Sequence, residues 1–104
     1  MNSKYTGRIM IRVTVNGCGL PLDGARIYIN EKEYSIPWDK DGFSDIISLF
    51  SSSEKGTVKK YTLKAEYEGF ATLVCTDVPV TSGYLTVWNM PLFAKVKESQ
   101  KILK

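Results

Sequence analysis

Two runs of strictly alternating character, residues 7–15 and 25–29, flank a turn rich in Gly, Pro and Asp, and this pair constrains the fold more than any other part of the chain. A period of two places one face of a strand in a dry interior and the other in water. In the first run Ile9, Ile11, Val13 and Val15 share the inward parity, against Arg8, Met10, Arg12 and Thr14. In the second, Ala25, Ile27 and Ile29 point inward, and Arg26, Tyr28 and Asn30 outward. Between them, residues 16–24 supply glycines for positive φ and Pro21 for a fixed φ, which lets the chain reverse without strain.

The same reading extends along the chain. Residues 31–38 are half polar and contain Pro37, which cannot donate to a ladder, so this segment is an edge strand or a loop. Asp39-Lys40-Asp41-Gly42 is a tight turn, and residues 43–50 form the next strand; its mixed parity predicts a bulge or two partly covered faces. Residues 51–56 are a polar loop expected to be mobile. Residues 58–67 alternate cleanly, with Tyr61, Leu63, Ala65 and Tyr67 opposed to Thr62, Lys64, Glu66 and Glu68. Residues 70–76 and 77–80, a turn at 81–83 and a final strand over 84–92 complete the pattern.

Six or seven short strands, with no helical period and no helical crossover to join parallel neighbours, predict an all-β chain. The expected architecture is a single antiparallel β-sandwich. Residues 1–6 are a lead-in, 7–93 the sandwich and 94–104 a basic tail, frayed or docked to a partner.

Composition removes several classes of function. Hydrophobic residues at 43% and charged residues at 24% exclude disordered, collagen-like and coiled-coil chains. The net charge of +3 is mild, and Lys and Arg are spread among acids except in the 94–104 tail, which reads as an end rather than a phosphate-binding arm; this argues against a nucleic-acid partner. No leader of signal-peptide form precedes the first strand, and no apolar run approaches the ~20 residues a bilayer span needs. Cys18 lies in the first turn and Cys75 in a later apolar run. They are either a turn thiol and a small buried hydrophobe, or a disulfide if folding brings their Cα atoms within roughly 7 Å. With no His and two Cys, a zinc site of the usual Cys/His composition is excluded.

Several segments carry a family likeness. Gly19-Leu20-Pro21-Leu22-Asp23-Gly24-Ala25-Arg26-Ile27-Tyr28-Ile29, the turn from Asp39 to Phe43, and Tyr61-Thr62-Leu63-Lys64-Ala65-Glu66-Tyr67-Glu68-Gly69-Phe70 resemble the carboxypeptidase regulatory-like domain. Asp77-Val78-Pro79-Val80 and Met90-Pro91-Leu92 are similar to its closing strands, so the likeness covers about residues 7–92. It implies a transthyretin-like (prealbumin-like), Ig-like Greek-key β-sandwich of about seven strands, serving as an accessory module in extracellular, cell-surface, cell-wall-associated or phage-related (virion-associated) systems. It carries no catalytic motif with it.

The residues themselves point the same way. Acyl transfer and acid–base chemistry usually draw on a His, or on a Cys activated by one, and the chain has no His. Asp39, Asp41 and Asp77 read as solvated turn residues, and Ser51, Ser52 and Ser53 lack a base. Asp39-x-Asp41-Gly42 begins like a calcium loop, but its fifth and twelfth positions are Phe43 and Phe50, so the match fails. We therefore expect a non-enzymatic chain with no cofactor and no metal.

What remains is an aromatic group, Tyr28, Tyr34, Tyr84, Trp38 and Trp88, since rigidly held rings anchor protein partners or stack on sugars. Tyr28, Arg26, Tyr34, Trp38 and Trp88 form the candidate interaction surface, with the alternative that both tryptophans cap the core. Segment 31–38 is an edge available to another chain, while Pro37, Lys59 and Lys60 blunt the edges they occupy. The expected function is a structural or protein-interaction module that self-associates or binds a protein; the alternative is a carbohydrate-binding module using exposed Trp and Tyr rings.

Overall fold

The alternation of the first run becomes strand β1 (Tyr5–Val15), beginning two residues earlier than the sequence predicts, and that of the second becomes β2 (Arg26–Ile29). They are followed by β3 (Lys32–Tyr34), β4 (Ile47–Ser52), β5 (Val58–Glu66), β6 (Leu73–Thr81) and β7 (Leu85–Leu92) in a computed structural model that describes residues 4–22 and 24–95. Two sheets result, ordered β4-β1-β7 and β3-β2-β5-β6, and they pack face to face as an all-β sandwich of seven strands.

The interior is filled by the predicted parities with one exception at the end of β1, where Thr14, expected to face outward, is buried under its bridge to Pro21 of the first turn and Val15, expected to face inward, is half-buried. Ile9, Ile11 and Val13 of β1 meet Ile27 and Ile29 of β2, Leu63 and Ala65 of β5, Val78 and Val80 of β6, and Met90 and Leu92 of β7, all buried. Each aliphatic side chain of this size removed from water stabilises the fold by about 1.5–3 kcal/mol, so the parity match is the main source of its stability.

The expectation of an antiparallel sandwich needs one correction. Four ladders are antiparallel, but β1 and β7 run parallel over eight residue pairs, from Arg8 opposite Leu85 to Val15 opposite Leu92. A parallel pair requires a long crossover, and here the crossover is the whole chain between the two strands, routed through both sheets rather than through a helix.

Local irregularities fall where parity was mixed. Gly7 lies opposite Phe50 and Arg8 opposite Ser48, so Leu49 is an extra residue in β4 and the strand changes phase there. Phe43 and Ser44 precede β4 as isolated bridges to Arg12 and Trp38. The expected break between residues 76 and 77 is instead a bulge within one strand: Tyr61 faces Val78 and Leu63 faces Cys75, with Asp77 at φ 59°.

The 51–56 segment, expected to be mobile, is pinned. Its first two residues belong to β4, and the buried Ser82 hydroxyl donates to the Glu54 carbonyl at 2.7 Å while accepting from the Thr57 amide at 2.8 Å. Neither thiol is in a disulfide: Cys18 is exposed in the first turn, and Cys75 is half-buried against the core. Lys95 donates from its amide to Gly69 and Ala71 to Phe93, tying residues 93–95 to the connection between β5 and β6. The lead-in residues 1–3, Asp23 and tail residues 96–104, and with them most of the tail expected to be frayed or docked to a partner, lie outside the described residues.

The β2–β3 hairpin carries a local conflict. Ile29 pairs with Lys32, so Asn30 and Glu31 form the two-residue loop, at φ 50° and 72°. Asn30 suits this conformation and its Oδ1 accepts the Thr62 amide at 2.9 Å, whereas Glu31 carries a Cβ where such turns favour Gly. Glu31→Gly is expected to raise stability by about 0.5–1 kcal/mol, read as a higher midpoint in urea unfolding with an unchanged slope.

Candidate interaction surface

The outward parity of β2 and β5 builds one polar and aromatic lattice on the outer face of the four-stranded sheet. Tyr28 lies opposite Lys64 and Arg26 opposite Glu66. Glu33 flanks Tyr28 on β3, and Val74 flanks Lys64 on β6. Glu66 is the hub: it accepts the Tyr28 hydroxyl at 3.3 Å, sits 3.6 Å from the Arg26 guanidinium and lies 3.8 Å from Lys64 Nζ. Lys64 Nζ also stands over the Tyr28 ring, 4.3 Å from its centroid. These are surface contacts worth about 0.2–1 kcal/mol each, so their role is to hold four side chains in one geometry rather than to stabilise the fold.

The Tyr28 phenol is held above its ordinary value of 10.0, first by the cost of burying its anion and then by the Glu66 and Glu33 carboxylates and the Glu66 hydrogen bond; Arg26 acts in the opposite sense. A raised value favours the protonated form in the folded state. Its contribution is complete below the unfolded value and disappears as pH climbs through the folded one. Titration followed by 13C-tyrosine NMR is expected to place Tyr28 above 10.0. In Glu66→Gln the midpoint should fall without returning to the ordinary value, because burial remains.

The five residues singled out in the sequence do not form one surface. Arg26 and Tyr28 point outward as their parity requires. Tyr34 lies opposite Ile27 on the inner side and packs against the core, but with Trp38 and Arg26 it lines a cleft of about 200 Å3 at the β3 edge. Trp88 is apart from them on β7, in the inward parity of Met90 and Leu92. Both tryptophans pack against the core for a register reason: Trp38 bridges Ser44, the Ser44 amide donates to Ile11, and Ile11 lies opposite Trp88. The four residues thus run in one line across the sheet around the buried Ile11. The Trp88 indole nitrogen is buried there with no hydrogen-bond partner among the described residues.

Sequence reasoning did not select Lys64 and Glu66, although their outward parity was legible. Which strand would bring them beside Arg26 and Tyr28 was not, because pairing is nonlocal; the opposite charges of Arg26 and Glu66 were the available signal.

No protein-family model matches the chain, and no curated protein matches it. No helix among the described residues is long and apolar enough to cross a membrane.

Proposed function

We propose that this chain is a non-catalytic structural or protein-interaction module of the carboxypeptidase regulatory-like, transthyretin-like kind, belonging to a cell-surface, cell-wall-associated or phage-related system. It binds a protein through an edge strand and through the face that carries Arg26 and Tyr28. The observation that supports this most is the Glu66-centred lattice, in which an Arg and a Tyr, residue types enriched at binding hot spots, share one carboxylate partner and stand side by side on an outward face.

The glycan reading has less support. A stacking platform needs bare ring faces, yet Lys64, Lys32 and Lys55 stand over Tyr28, Tyr34 and Tyr84 at 4.3, 5.6 and 5.1 Å. Trp38 and Trp88 are packed against the core.

Crosslinking and sedimentation, run beside a glycan array, provide the test. Association with itself or with a native partner that weakens about tenfold or more in Arg26→Ala and Tyr28→Ala supports the protein reading. A strict monomer that binds a glycan, and loses it in Trp38→Ala, replaces that reading with the carbohydrate one.

A further inference from the structure

The sandwich has four sheet edges, and the hydrogen-bond directions show that they are not equivalent. Even-numbered residues of β1 bond toward β7, as in the Arg8 amide to Tyr84 and the Asn16 amide to Leu92. On β7 it is therefore the odd residues that turn their backbone groups to the free edge, and one of these is Pro91, which has no N–H to offer. The β6 edge has the same device. Thr62 exchanges hydrogen bonds with Asn30 of the β2–β3 turn, so Lys60 and its opposite number Pro79 turn away from the β5–β6 ladder, and the Pro79 carbonyl accepts from Thr86 Oγ1 on the far side. On β3, three residues long, Ile27 and Ile29 bond to Tyr34 and Lys32, leaving the charged Glu33 alone at the edge. Proline, brevity and charge are the means by which natural sheets close their edges.

The β4 edge has none of these three, and the other common device, a bulge, is present there at Leu49. Odd residues of β1 bond toward β4 and the segment before it, as in the Val13 amide to Gly42 and the Ser44 amide to Ile11. Ser52, Phe50 and Ile47, opposite Tyr5, Gly7 and Ile9, therefore face β1. Ser48 and Ser51, opposite Arg8 and Thr6, direct their N–H and C=O groups to the free side. Because Leu49 is looped out, these two residues stand opposite β1 positions only two apart, the spacing at which a neighbouring strand offers successive bonding pairs. Both serines are exposed, and residues 46–53 contain no Pro and no charge.

We propose that the β4 edge is a strand-addition site for an extended segment of a protein partner that is basic at its ends, a site that rests on the protein-interaction reading above. Charge selects this occupant. The uncharged stretch is bounded by Asp45 and Glu54, both exposed. A second copy of this chain pairing antiparallel, with Ser48 opposite Ser51, would run its end into the 37–39 segment, where the Pro37 carbonyl already accepts the Asp45 amide, and would bring its Glu54 toward Asp45, a destabilising approach of like charges. A segment with Lys or Arg at each end meets those carboxylates instead.

The probe is an acetylated, amidated peptide of alternating Thr and Val with a lysine at each end, compared with the same core ending in glutamates. With the lysine peptide at millimolar concentration, NMR shifts and slowed amide exchange are expected at Ser48 and Ser51, weakening with salt. The glutamate peptide should leave both unchanged. Ser51→Pro, which removes a donor that no described strand uses, should keep the fold and abolish the response. Absence of slowed exchange at Ser48 and Ser51, perturbation centred on β6 or β7, equal response to both peptides, or a dimer that protects β4 without any peptide overturns the proposal. None of these results touches the protein-interaction reading, which falls on the glycan outcome described above.

Discussion

Leu63→Asp is expected to abolish folding at room temperature, and Ile11→Asp to do the same. Both positions are fully buried, one in each sheet, at the centre of the interior formed by β1, β2, β5, β6 and β7. A carboxylate placed there has no cation within the core to pair with, and its burial cost of several kcal/mol adds to the roughly 2–5 kcal/mol lost with the aliphatic side chain, a sum comparable to the about 5–15 kcal/mol by which domains are stable. Lys64→Asp, one residue along the same strand, is the control. It removes the Tyr28 stacking and the Glu66 ion pair and sets two carboxylates side by side, costing about 1–2 kcal/mol. Circular dichroism during urea unfolding measures both. Similar midpoints for Leu63→Asp and Lys64→Asp would sink the assignment of inward and outward parity.

Gly42→Ala is the second large effect, expected at about 2–4 kcal/mol. Gly42 sits at φ 84°, a conformation that costs an alanine about 1 kcal/mol or more, and it is closely surrounded. An added Cβ would stand 2.9 Å from the Val13 carbonyl oxygen and 2.8 Å from Pro21 Cβ, and backbone on that side cannot swing away. The same glycine accepts the Val13 amide and donates to Asp39, so displacing it loosens the turn that leads into the Ser44–Ile11 contact. Gly24→Ala serves as a comparison: its φ is also positive, at 89°, but no atom lies within 4 Å of its added Cβ, so the backbone term alone remains. A thermal midpoint for Gly42→Ala equal to that of Gly24→Ala would show that crowding contributes nothing.

Legibility differed between the fold and the surface for physical reasons. Strand positions and inward residues followed from alternation, since the side chains of a strand announce their faces one residue at a time. Mixed parity in residues 43–50 predicted a bulge or two partly covered faces; the bulge is found, because an extra residue shifts the phase, but the strand runs over Ile47–Ser52 and Phe43 and Ser44 form only isolated bridges. The pinning of the 53–57 loop was invisible, as it depends on Ser82, 25 residues away from the Thr57 amide it accepts. The aromatic group divided likewise. Tyr28 kept the outward face its parity gave it, whereas Trp38 lies outside a regular run and was drawn against the core by its bridge to Ser44.

By itself, then, the order of residues determined that the chain makes short strands, which side chains they hide, and that two such surfaces must close on each other. Tertiary structure alone decided that β1 and β7 run parallel, that Glu66 gathers Arg26, Tyr28 and Lys64, and that Pro79 and Pro91 close two edges while β4 has no further strand beside it among the described residues. The reason is range. Burial preference is a property of each side chain and its neighbours in sequence, but pairing partner, direction and register are settled by contacts between residues far apart along the chain, where many arrangements satisfy the same alternation.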